Sequence, residues 1–330
     1  MMKKLALAVL ATATVGTTQA ATVCVFDLLG ASGEAFQQMK EWSLQAKTWG
    51  ADVTLKAYTD ERVANEDFKA GKCDGVAVTA MRGREYNKFT GSIDSIGGVP
   101  DNKVAQSAIS FALNPRNADK MLSANKRYEI AGISPMGAAY LFVNDRNINT
   151  VAKAAGKKIA VLDYDQAQKI MVQQIGAQPV SADVTNFASK FNNGQVDIIG
   201  APAYAYKPLE LQKGIGTKGA MVNFPVLHIT ANLVIHPSKF PADFGQKSRD
   251  WFVKQLPKAF STIAKLEAAI PAKSKMEVPA GDREGYQKMM RESRIALTKQ
   301  GIYDKEMMSV LKRARCGIDK ANFECAMDGE

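Results

Sequence analysis

Acidic, basic and aromatic side chains that could contact a ligand follow short apolar segments at several points in this 330-residue sequence. An arginine could pair with an anion, and a tyrosine could stack on a ring while its hydroxyl bonds the polar edge of that ring. The candidates are Asp27, Met81, Arg82, Asp163, Tyr164, Tyr204 and Tyr206. Side chains of these types predict noncovalent binding of a small molecule rather than catalysis.

Structural roles are the alternative for these candidates. Asp27 and Asp163 could each cap the helix that follows, and capping is favoured over ligand contact for both. The tyrosines could pack in a core or at a hinge. Arg82 and the nearby Arg84 could contact an anion or lie in a solvated loop.

Catalytic and metal-binding patterns are missing from the sequence. There is no Gly-x-Ser-x-Gly turn and no phosphate-binding Gly-Lys-Ser/Thr motif. The sequence has only two histidines, too few for an obvious metal site. His228 lies between Leu227 and Ile229 in an apolar segment, which favours a structural role over that of a general base. We therefore expect no enzyme activity, no cofactor and no metal.

An internal repeat indicates how the candidate residues are positioned. VCVFD at 23–27 and IAVLD at 159–163 each predict a short strand that ends in aspartate and precedes a helix. Each copy continues with a second strand and a Phe-x-x-Gly-x-x-Asp segment, FKAGKCD at 68–74 or FNNGQVD at 191–197. A third apolar strand follows. Strand, helix, strand, helix, strand predicts a parallel α/β unit, with ligand contacts at the carboxyl ends of the strands.

Two such units predict an α/β fold of two lobes, each a parallel-rich sheet flanked by helices. Extended apolar segments at 137–144 and 226–235 are expected to cross between the lobes. The expected domains are a signal peptide at 1–20, a first lobe at 21–138 and 228–268, and a second lobe at 139–227 and 269–330 that includes the C-terminal helices.

Residues 1–20 have the layout of a secretory signal peptide. Lys3 and Lys4 precede an apolar stretch that ends in small residues, and cleavage is expected after Ala20. Elsewhere no apolar segment approaches the roughly 20 residues that a membrane-spanning helix needs. We therefore expect a soluble mature protein in a bacterial periplasm.

Charge is spread along the chain rather than clustered. The formal net charge is +10, and it falls to +8 without Lys3 and Lys4. Scattered lysines favour a solvated surface over a nucleic-acid groove, so no nucleic-acid partner is expected.

Four cysteines suit an oxidising compartment. The preferred pairs are Cys24 with Cys73, which would join the starts of two neighbouring strands, and Cys316 with Cys325, which would close a short loop. The alternative is that some of these cysteines remain free thiols.

The second half of the sequence resembles a known family. The segments GKKIAVLD at 156–163, IGAQPV at 175–180, FNNGQVDIIGAP at 191–202 and NLVIHPSKF at 232–240 are similar to successive landmarks of DctP-type solute-binding proteins of TRAP transporters. Within that group the sequence is most similar to AdeT-type solute-binding proteins. The resemblance implies a periplasmic two-lobe receptor that closes on a small solute and hands it to a membrane partner.

Departures from the family pattern bear on the expected solute. Relatives that bind organic acids carry an arginine where this sequence has Ala160, and their Glu-Asn-Pro motif is matched here by Gly200-Ala201-Pro202. An upstream family arginine is also absent from the segment GAAYLF. The loss of a guanidinium removes charge-assisted bonds of about 1.5–3 kcal/mol each. The resemblance therefore implies a bulkier and less acidic solute than a simple carboxylate.

Solute uptake is accordingly the first functional hypothesis, with a small-molecule ligand, an inner-membrane transporter component as partner and a monomeric state. The alternative is a periplasmic accessory of a multidrug efflux system of the RND type that affects antibiotic resistance. An adaptor of the usual kind needs a long heptad hairpin, and the sequence has no sustained heptad repeat.

Overall fold

The structure, a computed structural model, describes residues 20–330, so the expected signal peptide lies outside the described residues except for Ala20. The strands of this part of the chain are β1 Ala21–Phe26, β2 Val53–Tyr58, β3 Gly75–Thr79, β4 Glu129–Val143, β5 Lys158–Leu162, β6 Gln178–Ala182, β7 Ile198–Pro202, β8 Ala220–Ile235 and β9 Lys275–Met276. They form one sheet in the order β2-β1-β3-β8-β4-β7-β5-β6, and β9 pairs with β8.

Helices cover the sheet. Those of the described chain are α1 Glu34–Thr48, α2 Glu61–Lys69, α3 Ala80–Gly83, α4 Lys88–Gly91, α5 Asn102–Ala112, α6 Val151–Ala154, α7 Gln166–Gln174, α8 Phe187–Asn192, α9 Gln212–Ile215, α10 Phe244–Ala268, α11 Arg283–Lys299 and α12 Lys305–Ile318. In this part of the chain no helix is both long and apolar enough to cross a membrane.

The two copies of the repeat lie at opposite ends of the sheet. In the first sheet half, β1 pairs in parallel with β2 and β3. In the second sheet half, β5 pairs in parallel with β6 and β7. The long strands β4 and β8 pair with each other in antiparallel fashion and connect the two halves. The predicted parallel units and crossing strands are therefore present. Of the expected lobe boundaries, those after residues 138 and 227 fall inside β4 and β8, and the one after residue 268 falls at the end of α10.

The aspartate of each Phe-x-x-Gly-x-x-Asp segment has the same structural role. The Asp74 carboxylate accepts a hydrogen bond from the backbone N–H of Thr22 at 2.9 Å, at the start of β1. The Asp197 carboxylate accepts one from the backbone N–H of Lys158 at 2.9 Å, at the start of β5, and another from Asn144 at 3.1 Å. Each aspartate thus joins the start of its own third strand to the start of the first strand of its unit.

The strand β4 is irregular where it passes beneath α10. Its register with β8 shifts between Pro135 and Gly137, and Gly137 adopts φ 107°, which favours glycine. A Cβ at Gly132 would lie 2.2 Å from the ring of Phe252, so the glycine lets α10 approach the strand closely. These features fix the distance between α10 and the middle of the sheet.

Both preferred disulfide pairs, Cys24 with Cys73 and Cys316 with Cys325, are present in the structure. The last helix, α12, packs beside α5, and the backbone N–H of Asp304 donates to Ser92 Oγ at 2.8 Å. These contacts join segments that the sequence assigned to different lobes.

Candidate functional site

The seven candidate residues all follow strand ends, but the structure separates them into two groups and one outlier. Asp27, Tyr204 and Tyr206 line a cavity. Met81, Arg82 and Tyr164 belong to a buried cluster beside it, and Asp163 is exposed and lies outside both.

The cavity has a volume of about 420 Å³, within the range of about 300–1,000 Å³ that is typical of small-molecule sites. Its walls come from the end of β1, from α1, from the bulge in β4, from α10 and from the segment after β7. Apolar side chains dominate the lining, among them Leu28, Met39, Met136, Phe252, Ile263 and Leu266. The cavity therefore suits a ligand with a largely apolar body.

Polar side chains line part of the cavity, among them Gln37, Gln38, Ser134, Asn232 and Gln255. Ser134 Oγ donates to Gln38 Oε1 at 2.8 Å, which joins the β4 bulge to α1 across one side of the cavity. Among the described residues that line the cavity there is no arginine, and the lysines are Lys207 and Lys258. Both lysines are exposed, and Lys258 is paired with Glu41 at 2.8 Å. The cavity interior thus lacks a buried cation among the described side chains.

Asp27 caps the first turn of α1, the role that the sequence favoured over ligand contact. Its carboxylate accepts hydrogen bonds from the backbone N–H groups of Leu29 at 2.9 Å, Ala35 at 2.9 Å and Phe36 at 3.2 Å. A Cβ at Gly33 would overlap this carboxylate, so the close approach depends on that glycine. Because three amides already bind the carboxylate, Asp27 contributes to the site mainly by fixing α1.

The two tyrosines after β7 differ in their contacts. Tyr206 is buried, stacks on Phe142 with ring centroids 6.1 Å apart, and donates its hydroxyl to Ser274 Oγ at 3.3 Å. Tyr204 is half-buried and lines the cavity. Burial and the nearby charge of Asp27 raise the pKa of Tyr204 well above its usual value. Tyr204 therefore presents a neutral hydroxyl that a ligand can use, whereas Tyr206 is mainly a packing residue.

Arg82 and Tyr164 meet in a buried cluster with Glu61. The Arg82 Cζ atom lies 3.7 Å from the centroid of the Tyr164 ring, and the Tyr164 hydroxyl donates to Glu61 Oε2 at 2.8 Å. The same oxygen lies 3.2 Å from Arg82 Nε. Burial raises the pKa of Tyr164 well above its usual value, so the phenol remains a hydrogen-bond donor. The sequence analysis did not single out Glu61, which begins α2 shortly after the end of β2.

Two further contacts hold the same loops together. Arg84 Nη1 pairs with Asp165 Oδ1 at 3.0 Å, and Gln168 Nε2 donates to Met81 Sδ at 3.3 Å. Asp165, not Asp163, caps α7 by accepting from the backbone N–H of Ala167 at 3.1 Å. The predicted cap at Asp163 was therefore wrong by two residues, because the chain makes one more turn before the helix begins.

The positions at which the sequence departs from the family pattern lie away from the cavity. Ala160 is half-buried and packs beside a hydrophobic core, and Gly200 is exposed. Neither residue lines the cavity. The residues that do line it on α10 and on the β4 bulge were missed by sequence reasoning. Their signal, an apolar face at helical spacing, is also typical of ordinary core packing.

His228 has the structural role that the sequence favoured. It is fully buried, its Nε2 lies 3.2 Å from Asn102 Oδ1, and burial lowers its pKa to about 4. Within residues 20–330 no group of three or more histidine, cysteine, aspartate or glutamate side chains is arranged to hold a metal ion.

Comparisons with known proteins agree with this geometry. The model of a family described as solute-binding protein AdeT 1/2 matches residues 43–330. A relative from Acinetobacter baumannii, named Probable solute-binding protein AdeT1, is 53% identical over 306 residues, which are 93% of this chain and 100% of that protein.

Solved structures show the same fold. A TRAP periplasmic solute-binding protein from Haemophilus influenzae with bound L-gulonate matches with a TM-score of 0.73 and 11% identity, over 89% of this chain and 99% of its own. One from Desulfovibrio salexigens with bound orotic acid matches with a TM-score of 0.70 and 16% identity, over 90% of this chain and 99% of its own. At these identities the likeness shows a shared fold, a central sheet flanked by helices.

Proposed function

Because this chain belongs to the AdeT 1/2 family of solute-binding proteins, we propose that it binds an uncharged, largely apolar small molecule in the periplasm and delivers it to a transporter component of the inner membrane. The solute occupies the cavity beside Tyr204, with its apolar body against α10 and the β4 bulge. The Tyr204 hydroxyl and the Gln38–Ser134 pair bind its polar edge.

The observation that carries this proposal is the lining of the cavity. A carboxylate that leaves water for this cavity would lose its hydration without meeting a buried guanidinium among the described lining residues. An apolar solute gains about 25 cal/mol for each Å² of apolar surface that it buries. The lining therefore favours neutral solutes over the simple acids that the family pattern would otherwise suggest.

Several features support the periplasmic address and the role in transport. Both disulfides suit an oxidising compartment, and the structural neighbours are described as periplasmic. The two lobes expected from the sequence move about β4 and β8, and closure buries the solute. The protein acts as a monomeric carrier without a cofactor, not as an enzyme.

Binding of a neutral probe tests the proposal. N-phenyl-1-naphthylamine, an uncharged aromatic dye, should bind one-to-one to protein that has been refolded to remove carried-over ligand. Ala259→Trp places an indole in the cavity and should weaken this binding by at least about tenfold, since a filled pocket excludes the ligand. Fluorescence titration and calorimetry measure both affinities.

The matched control is Lys254→Trp, an exposed position on the same helix that does not line the cavity. It should bind the dye as the unmodified protein does. Equal binding by Ala259→Trp and the unmodified protein, or the release of a simple carboxylate from freshly purified protein in mass spectrometry, would overturn the proposal. The efflux-accessory alternative stays a prediction, which the antibiotic susceptibility of a deletion strain would test.

A further inference from the structure

Tyr164 makes contacts that a bound solute could otherwise make. It lies in the loop after β5, whereas Arg82 and Glu61 belong to the first sheet half. Its ring covers one face of the Arg82 guanidinium, with 3.7 Å between Cζ and the ring centroid, and its hydroxyl reaches Glu61 Oε2 at 2.8 Å. A side chain from one half of the sheet therefore fills a polar recess in the other half.

The cluster leaves one buried donor of Arg82, its Nε, without a hydrogen bond among the described residues. The Arg82 side chain is only 9% exposed, and its Nε lies 3.2 Å from Glu61 without hydrogen-bond geometry. Leaving a buried donor such as this Nε unpaired costs about 1–3 kcal/mol. Without the Tyr164 ring and the Glu61 charge, this donor would be available to a solute carboxylate that enters the recess.

The recess adjoins the proposed solute cavity. The backbone N–H of Thr79 donates to Glu61 Oε1 at 2.6 Å, and Thr79 itself lines the cavity. Thr79 therefore connects the wall of the cavity to the Glu61–Arg82 cluster. The Arg84–Asp165 and Gln168–Met81 contacts hold the Tyr164 loop in place without a ligand.

We infer that Tyr164 is a specificity-determining residue: it occupies the recess beside Arg82, shields that arginine from anionic groups and so restricts the adjoining cavity to neutral solutes. This inference rests on the proposed solute-binding function. It predicts that the recess becomes a carboxylate-binding site when both the Tyr164 ring and the negative charge of Glu61 are removed.

Two measurements test this inference. In the first, phenylglyoxal labelling with peptide mapping compares Arg82 with the exposed Arg62 and the buried Arg249 of the same molecule. Arg82 should be protected as Arg249 is in the unmodified protein and in Tyr164→Phe, which keeps the ring. It should become reactive in Tyr164→Ala. Labelling of Arg82 in the unmodified protein as fast as that of Arg62 would overturn the inference, whatever the stability of the variants.

In the second, benzoate and its neutral analogue benzamide are titrated into the folded double variant Tyr164→Ala, Glu61→Gln. Benzoate should bind at least about tenfold more tightly than benzamide, since bonds to a charged group contribute about 1.5–3 kcal/mol. The unmodified protein should show no such preference. Equal affinities in the double variant would contradict the inference. Failure of dye binding by the unmodified protein would instead contradict the proposed function and leave the labelling result interpretable.

Discussion

At the scale of single residues, Asp94 is expected to make stability depend on pH. It is buried and accepts hydrogen bonds from Thr230 Oγ1 at 2.6 Å and from the Thr230 backbone at 3.1 Å. Burial raises its pKa from 3.8 to about 7, although Arg84 opposes this shift. Because the folded-state pKa exceeds the unfolded one, the stability from the protonated form is fully present below pH 3.8 and is lost as pH rises through about 7.

Asp94→Asn should remove this loss. Between pH 3.8 and about 7, ionisation of Asp94 is expected to lower the free energy of unfolding of the unmodified protein by up to about 4 kcal/mol. The variant should not show this decrease. Urea unfolding across the pH range measures the difference between the two proteins. His228, whose pKa is lowered to about 4, weakens stability as pH falls below 6.5, but it acts equally in both proteins and cancels. If the free energy of unfolding changed with pH in the same way in both proteins, Asp94 would not be the source of the pH dependence.

At the scale of elements, Asp197 of the Phe-x-x-Gly-x-x-Asp segment should contribute more to stability than Asp163, the aspartate that follows β5. Asp197→Ala removes two hydrogen bonds that join β7 to β5 and β4, so it should lower the free energy of unfolding by about 1–3 kcal/mol. Asp163→Ala, at an exposed position in the same unit, should change it by less than about 0.5 kcal/mol. Urea denaturation measures the free energy of unfolding of both variants. An equal decrease in the two would contradict the different roles of Asp197 and Asp163.

The elements also explain what the sequence could and could not predict. The repeat placed strands β1, β3, β5 and β7 correctly because apolar segments, helix-ending glycines and paired aspartates are local signals. The cavity was not predictable, because its walls depend on how α10 lies over the β4 bulge. Arg82 and Tyr164 were correctly placed at strand ends, but strand order alone does not reveal that they would contact each other rather than a ligand.

At the scale of the whole molecule, a buried charge network attaches the C-terminal region to the first sheet half. Arg294 and Arg315 both pair with Glu324, at 2.7 and 2.8 Å, and both also contact Glu330. Nη1 of Arg294 donates to the backbone carbonyl of Ile96, and Nη1 of Arg315 donates to that of Gly98, at 2.8 Å each. The disulfide from Cys316 to Cys325 holds Glu324 beside the two arginines.

Glu324→Gln tests whether this network stabilises the fold. The change leaves two buried guanidinium groups with only one carboxylate between them, and loss of one partner from a buried ion pair costs about 3–5 kcal/mol. The matched control is Glu306→Gln, which breaks an exposed pair with Lys120 and should cost less than about 1 kcal/mol. Urea midpoints measure both, with the disulfides intact. If Glu324→Gln cost no more than the control, Glu330 and the carbonyls alone would suffice for both arginines, and the C-terminal region would be held by packing rather than by charge.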